Sequence, residues 1–344
     1  MLTPSDEHWH PSTGQAHWNE SFYFNGFDEA GGWGLATRIG ATPGAHEQDG
    51  FVCLYLPGGE TAFVELAQSL EPEAADVACE GLEFTCVEPF RRWRLRYEGL
   101  VRVFDRPAHE DDLRRSLDLG RPARKLELDL EVAPLHDAVD YDKRSVRPRP
   151  AGDVLKSTVS RSPLQTIART ARAARMLPSM TGAHHYEQAT RVRGTVRLDG
   201  ELSTLDGSGQ RDHSWGVRDM RVPARWRWLS CQFGDALCFN AVQVDVLAMR
   251  VQSGFVLHDD RLEPIMRLDL RETQQPGGLW PTDVGATLTT DSEREFEVRA
   301  RILAPLPVVA RSPDRSTLVT ASRAQFEWDG HVAEGMVEAM EQLR

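Results

Sequence analysis

Short runs of alternating apolar and polar residues, separated by turn residues, constrain this chain more than any other feature. Lys125-Leu-Glu-Leu-Asp-Leu-Glu-Val132 is the clearest, with Leu126, Leu128, Leu130 and Val132 set against charged neighbours. Successive side chains of an extended strand face opposite sides, so such a run has one buried face and one wet face. Gly32–Ile39, Gly50–Leu56, Thr61–Leu66, Leu82–Val87 and Arg92–Glu98 carry the same strand character. Thr42-Pro-Gly44, Pro57-Gly-Gly59 and Glu98-Gly99 punctuate them as turns do. Many strands without interleaved helices predict an all-β chain, built as antiparallel barrels or sandwiches.

The rhythm breaks once. Asp142–Gly152 is charged and proline-rich, as a connection between domains would be. Ser162–Leu177 then offers a serine cap, a proline at the first helical position and apolar residues at helical spacing, which predicts a helix. Strands resume at His184. The expected organisation is therefore a β-barrel over residues 1–141, a linker with a helix over 142–183, and a second β-barrel over 184–344. The end, Val332–Leu343, is expected as a short helix or a swapped tail. A length of 344 residues suffices for two domains, each with its own core.

Composition bounds the partners. The formal charge of -12 disfavours nucleic acid and anionic membrane surfaces. Five cysteines, an odd number without a C-x-x-C pair, point to buried thiols in a reducing compartment. The start lacks the cationic and apolar regions of a signal peptide, and no run reaches membrane-spanning length, so a soluble cytoplasmic protein is expected.

Chemistry concentrates in Asp206–Met220, where Gly207, Gly209 and Gly216 bracket Arg211, Asp212, His213 and Trp215. A charged turn would be the ordinary reading. Alternation in Arg191–Leu198 upstream and Arg225–Phe233 downstream instead places the cluster in or between strands, which hold side chains rigidly. As neighbours on a strand, Asp212 and His213 face opposite sides and need separate partners. His185 or Glu187 can serve one face and Tyr186 or Gln188 the other, with Glu20 from the first domain.

Glu20 lies in His17–Asp28, where Trp18, Glu20, Phe22 and Phe24 share one face and Asn19, Ser21, Tyr23 and Asn25 the other. If that aromatic face is interior, Glu20 must be paired or protonated. An acid among tryptophans would be pushed up and able to protonate an alkene or carbonyl, while the π faces of Trp215, Trp226 and Trp228 stabilise a developing cation. The candidate catalytic residues are Asp212, His213 and Glu20; the candidate substrate contacts are Trp18, Tyr23, Tyr186, Glu187, Arg211, Trp215, Trp228 and Asn240.

Other chemistries fit less well. His184, His185 and His213 with Asp212, or His8, His10 and His17, have no recognised metal-ligand spacing, so no metal is expected, and the histidine-rich start reads equally as a loose arm. Gly207-Ser-Gly-Gln210 lacks a phosphate-binding context, and Ser214 lacks a nucleophile elbow.

Gly209-Gln-Arg-Asp-His-Ser-Trp-Gly216 resembles the motif of the bacterial carotenoid 1,2-hydratases (hydroxyneurosporene synthases) and their lipocalin-like relatives. Those relatives include kievitone-type hydratases and Diels-Alderase-type cyclases, and uncharacterised bacterial members share the Arg-Asp-His-Ser-Trp-Gly form. The likeness to the hydratases is strong over these eight residues and elsewhere is one of strand rhythm, while the uncharacterised members also share the His17-Trp-Asn-Glu-Ser21 start. Within it, Gln210 and Arg211 stand where the hydratases tend to have an aromatic residue and a histidine, and Ser214 replaces an asparagine. The resemblance implies two tandem lipocalin-like (calycin) barrels with a helical linker and a hydrophobic pocket. It further implies acid-assisted hydration, dehydration or cyclisation of an isoprenoid or steroid-like molecule, with no metal or organic cofactor and with Asp212 as proton donor. The alternative is a carrier that holds a hydrophobic metabolite unchanged. The expected partner is a hydrophobic small molecule, with no nucleic acid and no membrane insertion, and a homodimer stays open.

Overall fold

A computed structural model describes residues 2–12, 15, 17–70, 76–104, 123–141, 149–150, 184–217, 223–246, 249–274, 278, 280–311 and 316–343. After a 3-10 turn at Pro4–Glu7 come strands β1 (Trp18–Asp28), β2 (Trp33–Thr42), then a second 3-10 turn at Pro43–Ala45, β3 (Glu47–Tyr55), β4 (Thr61–Ser69), β5 (Val77–Cys79), β6 (Leu82–Glu88), β7 (Arg92–Phe104), β8 (Ala123–Pro134) and β9 (Val139–Asp140). They are followed by β10 (Arg149–Pro150), β11 (His184–Leu198), β12 (Glu201–Val217), β13 (Arg225–Phe233), β14 (Leu237–Val246) and β15 (Met249–His258). The last five are β16 (Arg261–Gln274), β17 (Pro281–Thr290), β18 (Glu295–Arg311), β19 (Ser316–Trp328) and β20 (His331–Leu343). The all-β expectation holds across the described residues.

The strands form two sheets in two units. In the first, the order β4-β3-β2-β1-β12-β11-β8-β7-β6-β5 is closed on itself where Thr61, Ala62 and Phe63 of β4 pair with Phe104, Val103 and Arg102 of β7. In the second, β13 to β20 form an eight-stranded closed barrel, with β15 pairing onto β16 and β20 onto β13. Closure removes the unpaired edges that otherwise template aggregation. Each unit has its own core: Phe22, Phe24, Leu35, Trp93 and Val192 in the first, and Leu229, Phe239, Val298, Phe326 and Val337 in the second. β8 shows why such sequences make strands, since Leu126, Leu128, Leu130 and Val132 are buried and Lys125, Asp129 and Glu131 are exposed.

Two expectations about the second half meet a different structure, and a third is not reached. Residues 184–217 do not open the C-terminal barrel; β11 and β12 return to the first sheet, β12 beside β1 and β11 beside β8. Local alternation sets strand character but not the neighbour, and here the neighbour is almost 200 residues upstream. The C-terminus is strand β20, paired on both edges with β13 and β19, despite its helix-favouring Ala, Glu and Met. The predicted helix at Ser162–Leu177, and most of the linker, lie outside the described residues.

The glycines of the motif answer to packing. Gly209 lies opposite Gly26 of β1, and a Cβ at Gly209 would sit 1.9 Å from the carbonyl oxygen of Asn25. No real Cβ tolerates that distance, so β12 approaches β1 this closely only with glycine there. All five cysteines are free thiols, and burial pushes those of Cys53 and Cys86 up to about 12. No helix among the described residues is long and apolar enough to cross a membrane.

Candidate functional site

β12 runs between β1 and β11, and its alternation sends functional side chains to both faces of the sheet. Along the registers, Phe22, His213 and Tyr186 form one row, Phe24, Arg211 and Gln188 the next on the core side, and Tyr23, Asp212 and Glu187 a row on the opposite side. Arg211 and Asp212, adjacent in sequence, therefore answer to different surroundings.

On the core side, the 3-10 turn at the N-terminus inserts Glu7 among the strands. Its carboxylate accepts two hydrogen bonds from Arg211, Nη1 to Oε2 at 2.9 Å and Nη2 to Oε1 at 2.5 Å. Trp93 Nε1 donates to Oε2 at 2.6 Å, the backbone NH of Phe90 donates at 3.2 Å, and the Tyr186 hydroxyl donates to Oε1. Glu7 and Arg211 are 0% and 1% exposed, so the pair is fully withdrawn from water. Burial works to raise the Glu7 carboxyl, but the Arg211 charge and the hydrogen bonds from Arg211, Tyr186 and Trp93 outweigh it and hold the group below the usual carboxylate range. Burial pushes the Tyr186 phenol well above its ordinary value. The guanidinium also lies 5.3 Å from the ring centre of Trp93 and 5.0 Å from that of Tyr186.

Beside this pair, Glu20 of β1 joins two histidines. His213 Nε2 is 2.9 Å and His10 Nδ1 2.8 Å from the same oxygen, Oε1, and the backbone NH of His10 donates to Oε2 at 3.0 Å. Asp6 meets both outer nitrogens: its carbonyl oxygen is 2.8 Å from His213 Nδ1, and its Oδ1 is 3.1 Å from His10 Nε2. Burial favours a neutral Glu20, yet hydrogen bonds to His10 and His213 hold it below the usual range. His213 is lowered, burial being the largest cause; His10, half-buried, is raised because hydrogen bonds to Glu20 and Asp6 outweigh burial. The rings are fixed by stacking, His213 on Phe22 at 3.8 Å and His10 on Trp215 at 4.1 Å.

The opposite face of β11 and β12 carries a second cluster. Gln210 Nε2 donates to Glu187 Oε2 at 3.0 Å, and His185 Nε2 is 3.2 Å from Glu187 Oε1. The donor atoms of His185, Glu187 and Asp212 lie within 4.8 Å of one another. Glu187 is fully buried, and Asp212 and His185 are half-buried. Tyr23 pairs with Asp212 across the β1 register, and Asn25 ties its Oδ1 to the backbone NH of Gln210 at 2.9 Å.

The structure thus separates the expected site residues into groups. Asp212, Glu187 and Tyr23 share one face; Glu20, His213, Tyr186, Arg211 and Trp215 share the other. Trp18 is half-buried on the Glu20 face, where its Nε1 has no hydrogen-bond partner among the described residues. Trp228 and Asn240 lie in the second sheet, on β13 and β14, where Asn240 Oδ1 accepts from the Tyr141 hydroxyl at 2.6 Å. Arg211 pairs with Glu7, on the face of β12 opposite Asp212. The histidine-rich start is no loose arm: Glu7 and His10 are integral to the core-side network, though nothing in local spacing marks them.

The same arrangement of sheets, with β12 at its centre, can be set beside known proteins. The model of a family described as a domain of unknown function, DUF7064, matches residues 3–343. The chain belongs to the DUF7064 family. No protein of curated function matches this DUF7064 sequence. Among solved structures it is similar to a Nitrosomonas europaea protein provisionally assigned as AttH, at 15% identity and TM-score 0.66, over 98% of this chain and 96% of the other. It is also similar to kievitone hydratase from Nectria haematococca, at 8% identity and TM-score 0.55, over 93% and 87%. CghA is a third, at 9% identity and TM-score 0.52, over 95% and 88%. At these identities the likeness concerns the fold. It does not single out the carotenoid hydratases that the motif resembles.

Proposed function

We propose that this DUF7064 protein is a hydratase, dehydratase or cyclase that protonates a hydrophobic isoprenoid or steroid-like molecule by side-chain acid–base chemistry, with Asp212 as the proton donor. The observation that carries the reading is the convergence of Asp212, Glu187 and His185 on one face of β11 and β12. A general acid must be reachable and must be resupplied. Asp212 is half-buried, and Glu187, buried and fixed by Gln210, lies 3.2 Å from His185 Nε2, which is the group placed to restore the proton. Glu7 and Glu20 are unsuited to the donor role, since their cationic and histidine partners keep them as carboxylates. Trp215, stacked on His10, serves the core-side network rather than a cation on this face. The two units would be tandem lipocalin-like barrels, and a fold shared over most of the chain with a protein named as a hydratase supports the reaction class.

The test is incubation of the full chain with a panel of isoprenoids and steroids in 18O-labelled water, followed by mass analysis. Gain of labelled water, loss of water or isomerisation at constant mass would assign the reaction. Tight binding with every compound recovered unchanged would replace the proposal with a carrier.

A further inference from the structure

We propose that His10, Glu20 and His213 form a binding site for a divalent transition metal of the Zn2+ class, on the core side of the first sheet. The inference is independent of the proposed activity, which concerns the opposite face of β12.

The carbonyl oxygen of Asp6 only accepts, so the His213 Nδ1 that lies 2.8 Å from it carries the hydrogen. In the neutral ring the lone pair of Nε2 then faces Glu20 Oε1, 2.9 Å away. His10 repeats the arrangement, with the Asp6 carboxylate at Nε2 and the same Glu20 oxygen at Nδ1. Each imidazole is thus flanked by acceptors on both sides, and with both rings neutral and their outer nitrogens carrying the hydrogen, two nitrogens and one oxygen offer lone pairs to one small region. A metal ion is the ligand that takes three converging lone pairs at once.

The outer nitrogens reinforce this. Metal-bound histidines usually donate their remaining N–H to a carboxylate or a backbone carbonyl, which fixes ring orientation and tautomer. Asp6 supplies one of each, to His10 and His213 respectively. Stacking on Trp215 and Phe22 holds both rings in place, and the His10 backbone NH orients the carboxylate. Zn–N and Zn–O bonds of ~2.0 Å at tetrahedral angles put donor atoms roughly 3.3 Å apart. The present separations of 2.8 and 2.9 Å to Glu20 need an opening of a few tenths of an ångström. Two imidazoles with one carboxylate favour first-row transition ions over Mg2+ or Ca2+, and three protein ligands leave a coordination position open. Asp6 and Glu20 together balance the charge of a divalent ion. Such an ion would fasten residues 6–10 to β1 and β12.

The experiment uses the full chain after chelation, titrated with Co2+ and read by its visible ligand-field bands, then displaced with Zn2+. One equivalent should bind, and Zn2+ should slow hydrogen exchange in residues 5–10. His10→Ala and Glu20→Gln should weaken Co2+ binding by on the order of 100-fold, and Asp6→Asn by about 10–100-fold. His185→Ala and Glu187→Gln, in the other cluster, should leave it unchanged. His10 is half-buried on a terminal segment, so His10→Ala tests the site even where Glu20→Gln fails to fold. Folded protein without Co2+ bands, bands undiminished in folded His10→Ala, or bands lost in His185→Ala would each overturn the site.

Discussion

Replacing Glu7 by glutamine is the sharpest perturbation of the first unit. It leaves the shape of the side chain but removes the only carboxylate bonded to Arg211 among the described residues, a guanidinium 1% exposed on a strand paired on both sides. Arg211 cannot swing into water without breaking β12 from β1 or β11. An uncompensated buried charge of this kind costs about 3–5 kcal/mol, which raises the opened population of the unit about 10²–10⁴-fold. The reverse change, Arg211→Met, should cost less, because Glu7 lies on a terminal segment that can detach and rehydrate. The double variant Glu7→Gln/Arg211→Met should recover much of the loss, since an apolar replacement of a buried pair is often neutral. Because the chain has two units, native-state hydrogen exchange of the β11 and β12 amides is the suitable assay, reporting the opening energy of that sheet by itself. A Glu7→Gln loss below about 1 kcal/mol, or a double variant worse than both single ones, would refute the reasoning.

Other consequences can be measured alongside. The Glu7 carboxyl is held below its unfolded value, so its contribution is fully present above about pH 4–5 and is lost as pH falls through the lower folded value; acid unfolding of the first unit should therefore be shallower in Glu7→Gln. Gly209→Ala places a Cβ 1.9 Å from a carbonyl oxygen and should destabilise the β1–β12 contact by at least ~1–3 kcal/mol in the same exchange assay. In the second unit, Arg227 is nearly buried between Glu272 and Glu341, both partly exposed. Arg227→Met should cost about 1–3 kcal/mol in β13 amide exchange, less than Glu7→Gln, because the stranded carboxylates can reach water.

Much of this was legible in the sequence. The alternation in Lys125–Val132 reports a half-buried strand directly, and adjacency alone shows that Asp212 and His213 face opposite sides, as they do. Glu20 on an aromatic face had to be paired or protonated, and it is paired. What stayed hidden is non-local. Glu7 meets Arg211 across 204 positions and β1 meets β12 across a similar span, separations at which no periodicity carries information. The C-terminal strand misled for another reason: its Ala, Glu and Met residues suit a helix, and only pairing with two neighbours overrides that preference.

The central claim is that Asp212 donates the proton. Once a substrate is found, turnover and binding of Asp212→Asn should be compared with those of the unaltered chain at matched melting temperature. The account predicts a fall in turnover of about 10²–10⁴-fold with binding retained. Full turnover by folded Asp212→Asn would contradict it.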